Sequence, residues 1–267
     1  MIDRTRLGRD EYAFRPAEPD DGLRVVSVFR AAMPEAVVAV NVLGTSKAAR
    51  FVDHAIEASK AGGSDLYWVA EDAAGEAVAF AQLRLGRETT FINNLHVAPD
   101  HQGRGIGGRL MRLMTTALSS EAVAADVFEG SGVSRGMFER AGFELANTFH
   151  WHLQAPGPSE PGWYAVHDLP QADATQEAFD LSVFRVETSA GSHQVGRIGT
   201  KLYRLVGAAA VADPHLRAAL HALDPNRSIL MIVPADVDTA TTEPHLVSRR
   251  LMASRVSVAS RYGPWRE

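Results

Sequence analysis

Four glycines between Gln102 and Arg109 are the residues whose spacing points most directly to chemistry. The segment 102–108 reads Gln-Gly-Arg-Gly-Ile-Gly-Gly, and it lies between a predicted strand, Phe91–Val97, and a predicted helix. The first N–H groups of a helix have no partner within the helix, and the helix dipole adds positive potential there. Such amides can converge on a phosphate or diphosphate. We therefore expect an anion-binding loop, which a side chain at Gly105 or Gly107 would obstruct.

Other glycine-rich loops have to be weighed against this one. A dinucleotide-binding loop needs Gly-x-Gly-x-x-Gly after the first strand of a βαβ unit, with an acidic residue about 20 positions later. Gly103, Gly105 and Gly108 fit that spacing and Asp126 fits the distance, although the segment lies in mid-chain. A P-loop is excluded because it ends in Gly-Lys-Ser/Thr. A glycine turn that binds nothing stays open, but each glycine inside a helix start costs about 0.5–1 kcal/mol relative to alanine.

The strand, the turn Val97–His101 and the loop together resemble the acetyl-CoA signature of the GNAT acetyltransferase superfamily. That signature reads Arg/Gln-x-x-Gly-x-Gly/Ala, and Gln102, Gly105 and Gly107 occupy its defined positions. A second similarity lies about 35 residues downstream, where Val133–Phe143 resembles the helix ending in Gly-Phe that precedes the family's last strands. The resemblance covers residues 12–154. It implies an α/β (α+β) fold with a GNAT-like mixed central sheet flanked by helices.

Hydrophobic periodicity and turn residues predict the element order β-α-α-β-β-β-α-β-α-β for this region, which agrees with the resemblance. The predicted strands are Tyr12–Arg15, Leu66–Glu71, Ala77–Leu85, Thr89–Val97, Ala122–Phe128 and Phe143–Leu153. The predicted helices are one that Asp20 and Asp21 cap and that runs to about Ala32, Thr45–Ala61, one that the glycine loop opens and that continues through Arg109–Leu118, and one from about Gly130 to Arg140.

A cluster of proline and glycine at 155–162 predicts a linker between a GNAT domain, 1–154, and a smaller α+β domain, 163–267. In the second domain we predict strands at Leu181–Glu187 and Ser228–Pro234 and helices at Val195–Ala210, Asp213–Leu223 and Glu243–Ser254.

Two short similarities suggest an internal repeat. His193–Gly199 resembles His101–Gly107, and Val247–Arg249 resembles Val133–Arg135. The second copy lacks the paired glycines in register. The C-terminal domain is therefore either a degenerate GNAT-like half or an unrelated extension that shields the substrate or forms a dimer.

The resemblance also implies how a cosubstrate, acetyl-CoA, would bind. The pantetheine arm would lie in a gap between the strand ending at Val97 and the strand Ala122–Phe128, and the loop amides would hold the diphosphate. Arg135 would reach the nucleotide 3′-phosphate by analogy. The implied cofactor-binding residues are Leu95, His96, Val97, Gln102, Gly103, Arg104, Gly105, Ile106, Gly107, Gly108, Arg135 and Phe138.

In this family the acceptor amine attacks the thioester directly in a ternary complex, so a group must accept its proton. Many members carry a glutamate on the strand before the loop, where this chain has Asn93 and Asn94, which could orient acceptor or water. The best base candidate is His96, with the near-neutral intrinsic pKa of imidazole. Glu88 and Asp126 are the other candidates.

The acid that protonates the departing thiolate is also replaced. Many members carry a tyrosine four residues before the Gly-Phe, and this chain has Phe138 there. Two rival functions therefore stay open: an acyltransferase using a longer or carrier-bound acyl group, and a CoA-binding sensor module without turnover.

Composition limits the setting in which such chemistry would take place. The formal net charge of −5 argues against nucleic-acid and membrane-surface partners, and the absence of cysteine excludes disulfides and thiol chemistry. No metal site is expected. With no run of about 18 apolar residues and no signal-peptide core, we expect a cytoplasmic protein. The expected partner is an amine on a small molecule or protein, and a homodimer stays open.

Overall fold

The computed structural model describes residues 12–155, 162–239 and 243–262, which form twelve strands and nine helices. The strands are β1 Ala13–Pro16, β2 Asp65–Glu71, β3 Ala77–Arg84, β4 Thr89–Val97, β5 Ala122–Phe128, β6 Glu144–Gln154, β7 Tyr164–His167, β8 Leu181–Thr188, β9 Gly191–Ile198, β10 Leu202–Val206, β11 Ser228–Pro234 and β12 Leu246–Ser254. The helices are α1 Gly22–Ala32, α2 Glu35–Ala39, α3 Ala48–Lys60, α4 Ile106–Thr115, α5 Gly132–Arg140, α6 Leu169–Phe179, α7 Ala208–Ala212, α8 Pro214–Leu223 and α9 Arg255–Tyr262.

The chain divides into two compact units that do not follow chain order. Unit 1 holds the described residues of 1–34, 49–146 and 250–267, and unit 2 holds those of 35–48 and 147–249. Of the predicted linker, residues 156–161 lie outside the described residues. The domain boundaries at 154 and 163 stay a prediction.

Unit 1 contains a mixed sheet in the order β1-β2-β3-β4-β5, followed by the part of β12 that belongs to this unit. The first four strands pair antiparallel, and β4 pairs with β5 in parallel. The buried core includes Ala79, Ala81 and Leu83 from β3 and Leu110 and Met114 from α4. Successive side chains of a strand alternate between its faces, so Phe80 lies on the opposite face, where the His96 ring contacts both Phe80 and Phe29 of α1.

A β-bulge in β4 opens the sheet of unit 1. Gln82 pairs with Asn94 but Leu83 pairs with Ile92, so Asn93 is an extra residue in β4. The parallel pairing of β4 with β5 also stops here, at Ile92 opposite Ala125. A bulge bends its strand and increases the local twist. The last five residues of β4 therefore run without a paired partner on β5.

Unit 2 repeats this topology. Its sheet has the order β6-β11-β10-β9-β8-β7, in which β7 to β10 pair antiparallel and β10 and β11 pair in parallel. Helices α7 and α8 separate the two parallel strands, as α4 separates β4 from β5. The expected mixed sheet and the second GNAT-like half are both confirmed. The predicted helix Asp213–Leu223 is confirmed as α8, with Asp213 capping the amides of His215 and Leu216.

Two other predictions in this region are wrong. Val195–Ala210 is not a helix but the end of β9, a turn, all of β10 and the start of α7, and Glu243–Ser254 contains strand β12. The short similarities used to suggest the repeat also fail, because His193–Gly199 lies almost entirely within β9 and Val247–Arg249 lies in β12, whereas Val133–Arg135 is helical. The repeat exists at the level of topology and not at those motifs.

No helix in the described part of the chain is both long enough and apolar enough to cross a membrane.

Candidate active site

The glycine loop has the geometry that its sequence predicts. Gly103 and Gly105 have φ angles of 75° and 80°, in the left-handed region that glycine adopts without strain. Gly105 is the N-cap residue of α4, and its carbonyl accepts the first helical bond, from Arg109. A Cβ at either glycine would meet no atom within 4 Å. Glycine is therefore required here by backbone conformation and not by crowding within the protein.

The backbone amides of Ile106, Gly107 and Gly108 lie at the N-terminal end of α4. Within the described residues, no backbone acceptor receives a bond from any of the three. A Cβ at Gly107 would lie 3.4 Å from Met137 Sδ and 3.9 Å from Val97 Cγ2. Gly107 thus lies against the end of β4 and α5, and the three amides can bind an anion beside it.

Two polar side chains of the loop, those of Gln102 and Arg104, hydrogen-bond to its surroundings. Gln102 donates from Nε2 to the carbonyl of Val97 at 3.0 Å, which ties the loop to the end of β4. Arg104 donates to the Tyr12 hydroxyl at 3.1 Å, and that hydroxyl lies 3.0 Å from His101 Nδ1. The Arg104 guanidinium thus lies beside the loop, where it adds positive charge.

The two predicted contacts on α5 differ in what they offer. Arg135 is about half-exposed and pairs with Glu139 at 3.3 Å, one helical turn away. Phe138 is buried in the core, where its ring packs edge-on against Phe143 with centroids 5.1 Å apart. The Phe138 side chain carries no proton to donate and does not open onto the surface of the site.

The predicted site residues of β4 lie at the bulge and beyond it. Asn93 is exposed, whereas Asn94, Leu95, His96 and Val97 are partly buried. His96 is opposite Phe80 in the register of β3 and β4. Its ring contacts Phe80 and Phe29, each with centroids 5.4 Å apart. The imidazole therefore lies on the α1 face of the sheet, beside the part of β4 that β5 does not pair.

A chain of hydrogen bonds runs across the strands from His96. His96 Nε2 lies 3.1 Å from Asn94 Oδ1, Asn94 Nδ2 donates to Gln82 Oε1 at 2.6 Å, and Gln82 Nε2 donates to Asp65 Oδ1 at 2.7 Å. Arg84 also donates to that carboxylate oxygen, at 3.2 Å. The backbone register brings these groups together, because Asn94 is opposite Gln82 and Arg84 is opposite Asp65.

Burial lowers the pKa of His96 to about 4. The near-neutral pKa expected from the free side chain is thus displaced, because a charged imidazolium between two phenylalanine rings would lose its hydration. His96 is neutral at pH 7 and can accept a hydrogen bond there.

The other two base candidates have different surroundings. Glu88 is exposed just before β4, seven residues from Leu95, which is about 23 Å along an extended strand. Asp126 forms a bidentate ion pair with Arg250, with both N–O distances 2.9 Å, and Arg250 also lies 4.9 Å above the Phe91 ring. Of the three candidates, only His96 lies on the unpaired part of β4 and is not part of an ion pair within the described residues.

The equivalent strands of unit 2 do not separate. All five residues of β10 pair with β11, from Leu202 opposite Ser228 to Val206 opposite Ile232. The helix after β10, α7, is only five residues long. Unit 2 therefore has the topology without the gap that would admit a pantetheine arm.

The family model described as Acetyltransferase (GNAT) family matches residues 41–143. These residues form a GNAT acetyltransferase domain. Its match covers the bulge, the glycine loop and the Gly-Phe end of α5, so the resemblance of those motifs to the superfamily is confirmed. Members of the family transfer an acyl group from CoA. No curated protein matches the sequence.

Solved structures extend the likeness of fold to both units. A tandem GNAT protein from the clavulanic acid biosynthesis pathway, solved without AcCoA, has a TM-score of 0.58 at 15% identity and covers 92% of this chain and 99% of its own. A GCN5-related N-acetyltransferase from Sphaerobacter thermophilus has a TM-score of 0.58 at 13% identity and covers 92% and 96%. A third structure, from Pyrococcus horikoshii, scores 0.57 at 15% identity and covers 95% and 92%. At these identities the likeness concerns the fold, which is a two-domain GNAT-like arrangement.

The polar chain continues beyond Asn94 through two residues that belong to no motif recognised in the sequence. These residues are Gln82 and Asp65. Gln82 is 4% exposed in a strand whose other residues are mostly apolar, Ala-Val-Ala-Phe-Ala-Gln-Leu. A buried amide needs a partner, so this residue was a usable signal. Asp65 gave none, because its role depends on the register of β2 against β3.

Proposed function

We propose that the protein is an acetyl-CoA-dependent N-acetyltransferase that acetylates a primary amine of a small molecule or protein. The observation that carries the proposal is the separation of β4 from β5 after Ile92, beside the open amides at the start of α4. The amides of Ile106, Gly107 and Gly108, with Gly103, Gly105 and Arg104, would bind the diphosphate. The amides of Leu95 and Val97, which point away from β3, would hold the pantetheine arm and polarise the acetyl carbonyl.

The acceptor would attack the thioester directly, so that the C–N bond forms as the C–S bond breaks. The amine then loses one proton and the thiolate gains one, which balances the reaction. No covalent intermediate on the enzyme is required. Positioning two bound substrates at the bulge would supply most of the rate enhancement, and Asn93 and Asn94 are available to orient the acceptor or a water.

Free energies decide what His96 can do. An alkyl ammonium of pKa about 10.4 costs about 4.6 kcal/mol to deprotonate at pH 7, and direct transfer to an imidazole of pKa about 4 would cost about 9 kcal/mol. The acceptor therefore reaches the site already neutral. His96 would accept a hydrogen bond from it, aim its lone pair at the carbonyl, and receive its proton as the C–N bond forms.

The remaining roles are argued from exposure, burial and charge. Arg135 is proposed to reach the 3′-phosphate, since its guanidinium is half-exposed on α5. Because Phe138 is buried, a water or another residue would relay a proton to the thiolate, in balance with the one that the amine loses. We propose residues 1–154 as the catalytic domain and 163–267 as a degenerate half that shields the substrate or forms a homodimer. The net charge of −5 favours a cationic acceptor over nucleic acid or membrane, in the cytoplasm.

Two alternative functions are each supported by an observation. An acyltransferase that uses a longer or carrier-bound acyl group would need the same loop and the same gap between strands. It would differ from an acetyltransferase only in the size of the pocket that holds the acyl group. A CoA-binding sensor without turnover is favoured by the loss of both customary ionisable groups, at Asn93/Asn94 and Phe138.

The test is an assay of CoA release with a library of amines, run with acetyl-CoA and with longer acyl-CoA donors, together with calorimetry of CoA binding. Turnover with acetyl-CoA and an amine supports the proposal. Tight binding of CoA with no release above the hydrolysis blank, for any donor or amine, would favour the sensor. Turnover only with long donors would favour the first alternative.

A further inference from the structure

The hydrogen-bond chain from Asp65 to His96 has a fixed direction. The Asp65 carboxylate can only accept, and it accepts from Gln82 and from the Arg84 guanidinium. Gln82 must therefore present its NH₂ group to Asp65, which leaves its carbonyl oxygen for Asn94. Asn94 in turn must donate its NH₂ to Gln82, at 2.6 Å, and present its oxygen to His96.

Each link follows from chemistry and not from an arbitrary assignment of amide nitrogen and oxygen. An amide side chain has one donating and one accepting end, so once the first is oriented the next is too. The chain is also well enclosed: Gln82 is 4% exposed, and Asn94 is partly buried. Reversing it would place two acceptors, Gln82 Oε1 and the Asp65 carboxylate, against each other at 2.7 Å.

We infer that Asp65, Gln82 and Asn94 are positioning residues that hold neutral His96 in the tautomer with hydrogen on Nε2, which leaves the Nδ1 lone pair for the acceptor amine. The Asn94 oxygen needs a donor, and His96 Nε2 is 3.1 Å away. Within the described residues, Nδ1 has no hydrogen-bond partner. This inference rests on the proposed function for its purpose, while the tautomer itself can be measured without any activity.

The direct test is long-range ¹H–¹⁵N correlation spectroscopy of ¹⁵N-histidine-labelled protein at pH 7.5, with His96 assigned by its loss in His96→Ala. We expect a protonated Nε2 and an unprotonated Nδ1. A protonated Nδ1 in the wild type would overturn the inference, whether or not the variants below fold. A correct tautomer in a protein that turns over no amine would count against the proposed function and leave the tautomer assignment standing.

A matched pair of substitutions tests whether the chain is the cause. Gln82→Lys places a donor between Asp65 and Asn94, so the Asn94 amide must turn its oxygen to Lys and its NH₂ to His96, which moves the hydrogen to Nδ1. Gln82→Glu, protonated on the oxygen that faces Asp65, keeps an acceptor facing Asn94 and should keep the hydrogen on Nε2. If both variants show the same tautomer, the chain does not set it and the inference is wrong.

Turnover supplies the second measurement. Gln82→Lys should lower kcat by about as much as His96→Ala, with KM for acetyl-CoA changed less than twofold, because the loop is untouched. Arg87→Met, at an exposed residue three positions after β3 and outside the hydrogen-bond chain, serves as the control and should keep both the tautomer and kcat. Loss of kcat in Gln82→Lys with the hydrogen still on Nε2 would refute a role through the tautomer.

Discussion

Substitutions at Gly105 test the loop in two separable steps. Gly105 has φ 80°, and a Cβ there would have no atom within 4 Å, so a side chain meets no clash. The left-handed conformation costs an ordinary residue about 1–2 kcal/mol. Gly105→Gln should therefore lower the free energy of unfolding by about that much and leave a folded protein. Gly105→Glu carries the same strain and adds one negative charge.

The charge is what should affect CoA. At about 6 Å, a pair of unit charges interacts by about 0.7 kcal/mol in bulk water and about 2.8 kcal/mol at an effective dielectric constant of 20. A diphosphate carries two charges, so Gly105→Glu should bind CoA at least about 10-fold more weakly than Gly105→Gln. The difference should shrink as salt screens it.

The assay is isothermal titration calorimetry of CoA at low and high salt, with unfolding in urea measured alongside. Gly62→Glu is the matched control, since Gly62 also has a positive φ of 91°, lies in the turn after α3 and would meet no atom within 4 Å. We expect it to leave CoA affinity unchanged. Equal affinity for Gly105→Glu and Gly105→Gln, or a loss with Gly62→Glu as large as that with Gly105→Glu, would refute the reasoning.

Two further results are expected. His96→Ala should lower kcat about 10- to 100-fold, which is a small effect for the loss of a catalytic base because the pKa of His96, about 4, lies far from pH 7. The pH profile of the wild-type kcat should show no inflection from His96 between pH 6 and 8. An inflection in that range that disappears in the variant would contradict the argument that burial keeps His96 neutral. Asp21→Asn should lower the free energy of unfolding of unit 1 by about 1–3 kcal/mol, less than a fully buried pair because Arg15 and Arg24 are partly exposed. Burial raises the pKa of Asp21, but its bonds to Arg15, to the Glu18 amide and to Arg24 outweigh burial, so the pKa is lowered. The stability that Asp21 contributes is therefore present above pH about 4 and is lost as the pH falls below that value. Equal acid sensitivity of Asp21→Asn and the wild type would contradict this account.

The sequence predicted the parts of unit 1 whose signals are local. The strands β2 to β5 and the glycine-capped start of α4 follow from alternation, helical spacing and the spacing of glycines within a few residues. The bulge at Asn93 did not, because it depends on pairing between β3 and β4. The hydrophobic pattern within one strand does not show where its pairing with the next strand shifts in register.

The wrong helix at Val195–Ala210 has a clear cause. Val195, Ile198, Leu202 and Leu205 recur at spacings of three and four, which is the pattern of a helix face. All four are buried, but in two antiparallel strands. The turn at Gly199, with φ 55°, interrupts the alternation and shifts its phase, so two strand patterns join into one that looks helical.

The candidate site shows the same division. The loop and His96 could be selected from sequence, because glycine spacing and a lone histidine on a strand are local features. The neutral state of His96, its tautomer and the pairing of Asp126 with Arg250 depend on residues far apart in the chain. These could not be predicted without the register of the sheet.

The central claim is that the N-terminal amides of α4 bind the diphosphate, while the thioester lies where the pairing of β4 with β5 ends. A crystal structure of the complex with acetyl-CoA tests it most directly. We predict diphosphate oxygens within hydrogen-bond distance of the Ile106, Gly107 and Gly108 amides, and the thioester beside β4 beyond Ile92. Density for the nucleotide elsewhere, such as beside β10 and α7, would contradict the account.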